Sequence, residues 1–355
     1  MVGSGFIAGV HSNAFHQVGH FFDVPFSLRA KVVCGRDQPK LEAFARRWGW
    51  EKTSLEWESV VNRPEIDVVD IAVPNALHSD IAIAAAEAGK IVFCEKPLAG
   101  SVTEAIKMAE AVGDRPNLVW FNYRRVPAIA FARQLIEEGR LGQIFHYRSH
   151  YFNQSGADPA KGQAWRYQRA QAGSGAIGDL LSHSLDTATY LNGEFTELSA
   201  MKHTFAADRD VDDAVLVMAR FANGSLGSFE ASRFGVGRRN GNGFEIYASK
   251  SSLAFDLEDM NRLQFFDATD PPSLQAARNL LMTGPGHPYS SNFWKPGHII
   301  GYEHTFIATL GDFLQNLAKD ERFHPDFEDA LKIQKLLEDV ETSATSGLWT
   351  KTSRP

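Results

Sequence analysis

The chain begins Met1-Val2-Gly3-Ser4-Gly5-Phe6-Ile7-Ala8-Gly9-Val10-His11. Gly3, Gly5 and Ala8 stand in the Gly-x-Gly-x-x-Gly/Ala spacing of a turn that offers backbone N–H groups and a helix N-terminus to a phosphate. Gly3 would permit the tight turn, Gly5 the approach of a pyrophosphate, and Ala8 the close packing of helix on strand, with Phe6 and Ile7 opening the helix. Two glycines in an ordinary loop are the plain alternative, and the downstream context decides between them. That context alternates. Short apolar runs at 30–35, 67–74, 91–94 and 117–123 read as strands, and 39–49, 78–89 and 101–112 read as helices. Strands separated by helices predict right-handed βαβ units and a parallel sheet covered on both faces. Residues 1–123 are therefore expected to form a Rossmann-type NAD(P)-binding α/β domain.

Only Met1 and Val2 precede the glycine turn, where a central strand of about five residues is normal. This predicts a truncated first strand, neighbours with unpaired N–H and C=O groups, and a natural start upstream of Met1. At the end of the second strand, where an acid would hydrogen-bond the adenosine ribose of NAD, stand Gly35, Arg36 and Asp37. An arginine in place of the acid favours NADP. Arg36 stacked on adenine, with Asp37 on the ribose, would serve NAD.

The pattern changes after about Tyr123. A helix at 126–139, a strand at 144–152 and a strong helix at 178–191 lead into strand-like segments at 214–221, 224–234, 243–249, 251–257 and 262–267. Turns such as Asn223-Gly224 separate them, as in hairpins. Residues 124–355 are thus expected to form an α+β domain on a largely antiparallel open sheet. Its C-terminal helices, 305–318 and 327–344, are candidates to pack back on the first domain. The segment 271–301 is long and carries His287, Tyr289, Trp294 and His298, as a binding loop or a surface wrapping would.

A chain of 355 residues with 44% apolar content fits two globular domains. A net charge of −7 gives no electrostatic case for nucleic acid, and Arg46-Arg47 and Arg238-Arg239 are short clusters. No run approaches the roughly 20 apolar residues of a membrane span, and no signal peptide is evident. Cys34 and Cys94 make neither a zinc spacing nor a disulfide framework, so a cytoplasmic setting is expected.

Lys96 follows directly on a strand end, where open α/β sheets bind ligands. Asp179 and His183 are four residues apart on a helix and share a face, with Asp186 on or near it. Each has a bland counterpart: Lys96 as a solvated charge, the helical trio as a hydrogen-bonded polar stripe. The spacing Asp-x3-His-x2-Asp would also suit a metal. His150, Tyr151 and Asn153 lie on a strand that could face a cleft.

Five motifs in consistent order carry a resemblance over nearly the whole chain. They are Glu95-Lys96-Pro97, the stretch Gly178–Asp186, Pro74-Asn75-Ala76-Leu77-His78, Asn122-Tyr123-Arg124-Arg125, and Trp165-Arg166-Tyr167 ahead of Gly173-Ser174-Gly175. With the glycine turn, they resemble the Gfo/Idh/MocA oxidoreductase family. Residues 165–186, with 287–294 and 297–306, look most like its levoglucosan dehydrogenase and glycoside 3-dehydrogenase branch. The resemblance implies NAD(P)-dependent oxidation of a secondary hydroxyl of a sugar, glycoside, anhydrosugar or polyol to a ketone, C3 favoured. The branch itself suggests NAD. No metal is implied. His183 would be the general base, Asp179 would hydrogen-bond substrate and set the histidine's state, and Lys96 would hold the reacting oxygen. Gly3, Gly5, Phe6, Ile7, Arg36, Pro74, Asn75, His78, Glu95, Lys96 and Arg124 would shape the cofactor pocket, with Trp165 and Arg166 near nicotinamide or substrate. Tyr151, Asn153 and Arg166 are further substrate-binding candidates. Homodimers or homotetramers are common in the family. An NAD-retaining glycosidase and a non-catalytic cofactor-binding regulator share the architecture and remain alternatives.

Overall fold

The computed structural model describes residues 1–158, 164–207 and 209–353. They form two compact units: Met1–Asn122 with Gly301–Gln334, and Tyr123–Ile300 with Lys335–Pro355.

In the first unit the chain runs α1 (Phe6–Phe21), β1 (Val32–Cys34), α2 (Gln38–Trp48), β2 (Lys52–Ser54), α3 (Trp57–Val61), β3 (Val68–Ile71), α4 (His78–Glu87), β4 (Ile91–Cys94), α5 (Val102–Val112) and β5 (Asn117–Val119). β1 pairs with β2, and β3-β4-β5 form a second ladder, all parallel. Helix ends follow local chemistry. Asp37 caps α2 by accepting the Lys40 N–H, Pro39 sits in its first turn, and Gly49 ends it in the left-handed region. Ser101 caps α5 in the same manner, through the Glu104 N–H.

The gap expected between the two ladders is bridged. Val2 makes parallel bridges to Cys34 on one side and Ile71 on the other. The Val2 N–H donates to Asp70 O (2.8 Å), Ala72 N–H to Val2 O (2.8 Å), Cys34 N–H to Met1 O (2.9 Å) and Gly3 N–H to Cys34 O (2.9 Å). Three residues therefore satisfy both neighbouring strands where the turn leaves the sheet. The strand expected to run to Tyr123 stops at Val119 instead. The Val119 N–H is taken by Pro325 O, and the Phe121 N–H bends back to Val119 O, which releases the chain into a helical turn at Asn122–Arg125.

The second unit holds α6 (Pro127–Glu137), β6 (Ile144–Phe152), α7 (Arg169–Ala172), a π turn (Ile177–Leu181), α8 (Ser182–Asn192), β7 (Phe195–His203), β8 (Ala214–Phe221), β9 (Leu226–Ser232), β10 (Gly241–Ala248), β11 (Ser251–Asp256), β12 (Arg262–Asp267) and β13 (Arg278–Leu281). With β14 (Thr350–Lys351) these strands build one sheet, ordered β13-β12-β11-β10-β6-β9-β8-β7-β14. Its pairs are antiparallel except β6–β9. One face buries Tyr147, Val215, Val217, Phe229, Phe244 and Ile246. The other exposes Met201, Leu216, Met218 and Leu226.

Two helices complete the chain, α9 (Tyr302–Ala318) and α10 (Phe327–Ser346). Residues 301–334 count with the first unit, so the second does not run unbroken from 124 to 355 as a simple two-domain reading would have it. The reason is apolar. α9 places Phe306 5.5 Å from Trp120 and Phe313 4.8 Å from Phe93, ring centroid to centroid, and all four are buried.

Candidate active site

Gly3 sits at φ +123°, and a Cβ there would lie 2.2 Å from the Ala72 carbonyl oxygen, so only glycine can make this turn. Gly5 is the N-cap of α1, with no side chain capping the helix and open space where its Cβ would be. Ala8 is fully buried against Val33, Leu41 and Ala72. Phe6, at the first helical position, is 80% exposed. A cleft of about 640 Å³ adjoins the turn, lined by Ser4, Gly5, Phe6, Lys40, Arg47 and Trp48 among others. A helix N-terminus with uncapped N–H groups, a cradle that any larger residue at Gly5 would fill, and an adjoining cleft fit a dinucleotide's pyrophosphate.

At the second strand end, a Cβ on Gly35 would come 2.9 Å from Ser4 Oγ and 3.1 Å from Leu41 Cδ1, which gives glycine a packing reason. Asp37 is committed to its cap and to Lys40 Nζ at 2.9 Å. Arg36 is exposed at this corner.

Pro74 leads into the short turn Asn75–Leu77, and Asn75 is buried. His78 is fully buried. Its Nδ1 lies 3.2 and 3.1 Å from the carbonyls of Pro97 and Leu98, and its Nε2 3.0 Å from that of Val73. It clamps the loop after β3 to the loop after β4. Lys96, half-buried, lies between these holdings. Its N–H donates to Glu95 Oε2 at 3.1 Å.

Glu95 leads to a group the sequence reading did not single out. Glu95 Oε1 is 3.1 Å from His11 Nε2, and His11 Nδ1 is 2.9 Å from Asp70 Oδ2. Trp120 stacks on His11 at 4.2 Å and donates its indole N–H to Asp70 Oδ1 at 2.9 Å. Burial alone would depress the imidazole's pKa, but the Asp70 and Glu95 carboxylates outweigh it and raise it to about 9. His11 is therefore an imidazolium at neutral pH, donating from both nitrogens. A pKa raised from 6.5 in the free side chain to about 9 in the fold stabilises the protein fully below about pH 6.5, and that contribution disappears as pH rises through 9. Urea unfolding at pH 6 and pH 10 should show lower stability at pH 10, with a smaller difference in His11→Gln. An equal difference in the two proteins would refute this assignment.

In the second unit, Asp179 lies in the π turn and His183 in the first turn of α8. The uniform α-helix expected over 178–191 is thus corrected at its start. Asp212 explains the change: its carboxylate accepts the N–H groups of Gly175 (2.7 Å) and Ile177 (2.8 Å), and its carbonyl accepts that of Ala176 (3.0 Å). A Cβ on Gly175 would strike the Asp212 carbonyl oxygen at 1.8 Å. The helix start is pinned to the chain ahead of β8, and the wide turn absorbs the mismatch.

His183 is buried against the rings of Tyr123 (4.6 Å) and Tyr151 (5.9 Å). The Tyr123 and Tyr151 hydroxyls are 3.2 Å apart, and Tyr151 donates to Asn240 Oδ1 at 2.6 Å. Arg233, 1% exposed, reaches Asp179 Oδ2 at 3.1 Å and the Arg166 carbonyl at 2.9 Å. Arg124 binds Asp186 through both carboxylate oxygens, 2.6 Å at the shortest, and both are buried. The two carboxylates of the Asp-x3-His-x2-Asp spacing are thus held by different arginines rather than turned to one shared ion. Trp165 lies under the Arg166 guanidinium at 4.4 Å. His150 and Tyr151, neighbours on β6, point to opposite faces of the sheet, and Tyr151 is on the buried one. Asn153 accepts from the Ser155 N–H and hydroxyl, closing a local turn.

Residues 1–123 match a model described as oxidoreductase family, NAD-binding Rossmann fold, and residues 129–254 match the GFO/IDH/MocA C-terminal domain. The chain belongs to the Gfo/Idh/MocA oxidoreductase family. Levoglucosan dehydrogenase of Pseudarthrobacter phenanthrenivorans is 39% identical over 98% of this chain and 96% of its own. A solved levoglucosan dehydrogenase, in complex with NADH and levoglucosan, superposes with a TM-score of 0.97 at 39% identity, covering 100% of this chain and 98% of the other. An oxidoreductase domain protein from Kribbella flavida gives 0.96 at 41% identity, over 99% and 98% of the two chains. The Rossmann domain, the mostly antiparallel second domain and the NAD(P)-dependent oxidoreductase class read from the sequence all hold for this family member.

The sequence-derived residues separate into two sets. Gly3, Gly5, Phe6, Ile7, Arg36, Pro74, Asn75, His78, Glu95 and Lys96 belong to the first unit, and Arg124, Tyr151, Asn153, Trp165, Arg166, Asp179 and His183 to the second. Arg233, Asp212 and His11 were missed. A histidine on an apolar helix directly after a dinucleotide turn was the one available signal, since its partners lie 59 and 84 residues away.

Proposed function

We propose that this oxidoreductase oxidises a secondary hydroxyl of a sugar, anhydrosugar, glycoside or polyol to the ketone, with C3 as the favoured position. The observation that carries this reading is the match, over essentially the whole chain, to a solved dehydrogenase in complex with NADH and levoglucosan.

The glycine turn and the N-terminus of α1 would hold the dinucleotide's pyrophosphate, with Phe6 and the Pro74–Asn75 loop beside it. Bound nicotinamide supplies the acceptor for the hydride leaving the carbinol carbon. His183 takes the hydroxyl proton on an imidazole nitrogen, and its seat between Tyr123 and Tyr151 fixes the ring. Asp179, oriented by Arg233, accepts a substrate hydroxyl. Lys96 holds the reacting oxygen and offsets the negative charge that grows there as the proton leaves. Reduced nicotinamide formation should be measured with NAD and NADP separately against levoglucosan, inositols, hexoses and glycosides, with Lys96→Ala alongside. Turnover on one sugar class that Lys96→Ala abolishes is the expected result, and no turnover with any pair despite cofactor binding would overturn the reading.

The exposed Arg36 beside Gly35 favours a cofactor carrying a 2′-phosphate, while the solved levoglucosan dehydrogenase is in complex with NADH. On this reading Arg36→Glu lowers kcat/KM for NADP at least about tenfold more than for NAD, the scale of a lost phosphate contact. An equal effect on both would leave Arg36 with no part in the choice.

Self-association through the open face of the second unit's sheet is part of the same proposal. Met201 and Met218 are 62% and 57% exposed there, and Leu216 and Leu226 continue the patch. Met218→Asp should lower the mass found by light scattering from oligomer to monomer. An unchanged mass would exclude this face.

A further inference from the structure

The geometry points to His11 as a positioning residue for Lys96: it orients the Glu95 carboxylate that holds the Lys96 backbone N–H, and so ties the loop bearing Lys96 to the helix that carries the phosphate turn. This rests on the reaction proposed above for its catalytic part, though not for its structural part.

The contacts form a line. α1 starts at the glycine turn and presents His11 inward. His11 Nε2 meets Glu95 Oε1 at 3.1 Å, and the other oxygen of that carboxylate accepts the Lys96 N–H at 3.1 Å. On its other edge, His11 Nδ1 meets Asp70 Oδ2 at 2.9 Å. The ring lies against Trp120 and Phe306. The charged groups facing it are thus Asp70 from β3 and Glu95 from the end of β4; Trp120, after β5, and Phe306, on α9, complete the enclosure with aromatic rings. A fully buried ring held at both nitrogens by carboxylates from two different strand ends has its orientation fixed. The division of labour between its two nitrogens is what makes the role specific. The Asp70 side braces the core, and only the Glu95 side leads to Lys96. Glu95 then restrains the start of the loop, while His78 restrains its continuation at Pro97 and Leu98. A loop released at one end moves its lysine by a fraction of its length, and misplacement by about 1 Å can cost about a hundredfold in rate.

The two edges of the ring can be separated by isosteres. Asparagine can place its amide where Nδ1 stands, and glutamine where Nε2 stands. His11→Asn keeps a donor toward Asp70 and loses the one toward Glu95, while His11→Gln does the reverse. Two measurements are made on the full chain. The exchange rate of the Lys96 amide, followed by NMR, needs no turnover. The kcat with saturating cofactor and substrate reads the catalytic consequence. We expect the Lys96 amide to exchange at least about tenfold faster in His11→Asn than in His11→Gln, with kcat at least about tenfold lower and KM little changed. A purely structural His11 would make both properties follow overall stability, without that division. Equal exchange in the two variants, or exchange faster in His11→Gln, overturns the proposal. Should either variant fail to fold, the same pair is made with Asp70→Asn, which removes one of the two carboxylates left without a cation, and the same comparison decides. If the unsubstituted protein shows no turnover on any sugar, the proposed reaction falls, and the exchange comparison still decides the role of His11.

Discussion

His183→Ala is expected to lower kcat by about 10²- to 10⁴-fold, the range for removing a positioned general base. Cofactor binding and fold should survive. The ring packs beside Tyr123 and Tyr151, and its loss leaves a small pocket between two tyrosines that are themselves held by a hydroxyl contact and by Asn240. Arg233 and Asp179 keep their own contact, 3.1 Å from guanidinium to carboxylate. The expected pattern is a fallen kcat with a near-normal dissociation constant for NADH and unchanged circular dichroism. A kcat within about threefold of the unsubstituted protein would remove His183 from the chemistry. On the proposed mechanism, the double variant His183→Ala/Lys96→Ala should lose little more than the worse single variant, because groups acting on one reacting hydroxyl do not contribute additively.

Asp186→Ala should cost about 3–5 kcal/mol of stability, the toll of leaving a buried guanidinium without its partner. Arg124 and Asp186 are 7% and 1% exposed, and the contact is bidentate. Arg124 opens the second unit's chain and Asp186 sits in α8, so the pair fixes where that helix lies against the unit's first turn. The Tyr190 ring under Arg124, at 5.2 Å, stays in place after the substitution. Arg124→Met/Asp186→Leu should be less destabilised than Asp186→Ala, because it strands no charge. Urea unfolding of the three proteins checks both statements, and a loss below about 1 kcal/mol in Asp186→Ala would mean that water reaches the arginine.

What the sequence made legible followed from local rules. β1, β3, β4 and β5 fall in short apolar runs bounded by glycine, proline or charge, whereas the polar β2, Lys52–Ser54, gave no such signal, and α2 and α5 announce themselves through Asp37, Gly49 and Ser101. The glycine turn was readable because Gly3 has a steric reason that survives without any knowledge of its partner. β7, Phe195–His203, mixes Glu, Ser, Thr and Lys and gave no strand signal. It is a strand because β8 pairs along its full length. The π turn was invisible for a related reason. Nothing in Ile177–Leu181 dictates it, and its cause, Asp212, lies 35 residues ahead in the chain. Arg233 and His11 were missed likewise, since a buried charge is recognised by its partner and the partners lie 54 to 84 residues away in the chain. Arg124 and Asp186 were noticed as motif members. Their bond to each other, across 62 residues, was not deducible from spacing.

The return of residues 301–334 to the first unit bears on how the protein is made. A ribosome that has released Asn122 has produced every strand of the parallel sheet, the glycine turn and His11. It has not yet produced Phe306 or Phe313, the rings that close over Trp120 and Phe93. The nascent nucleotide-binding unit must therefore wait, through the synthesis of residues 123–300, with an aromatic face open to water or to chaperones. During that interval His11 has its two carboxylates but lacks part of its cover, so its charge is still in reach of solvent. Competence to bind the dinucleotide should arrive late in translation, with the last helices rather than with the first hundred residues.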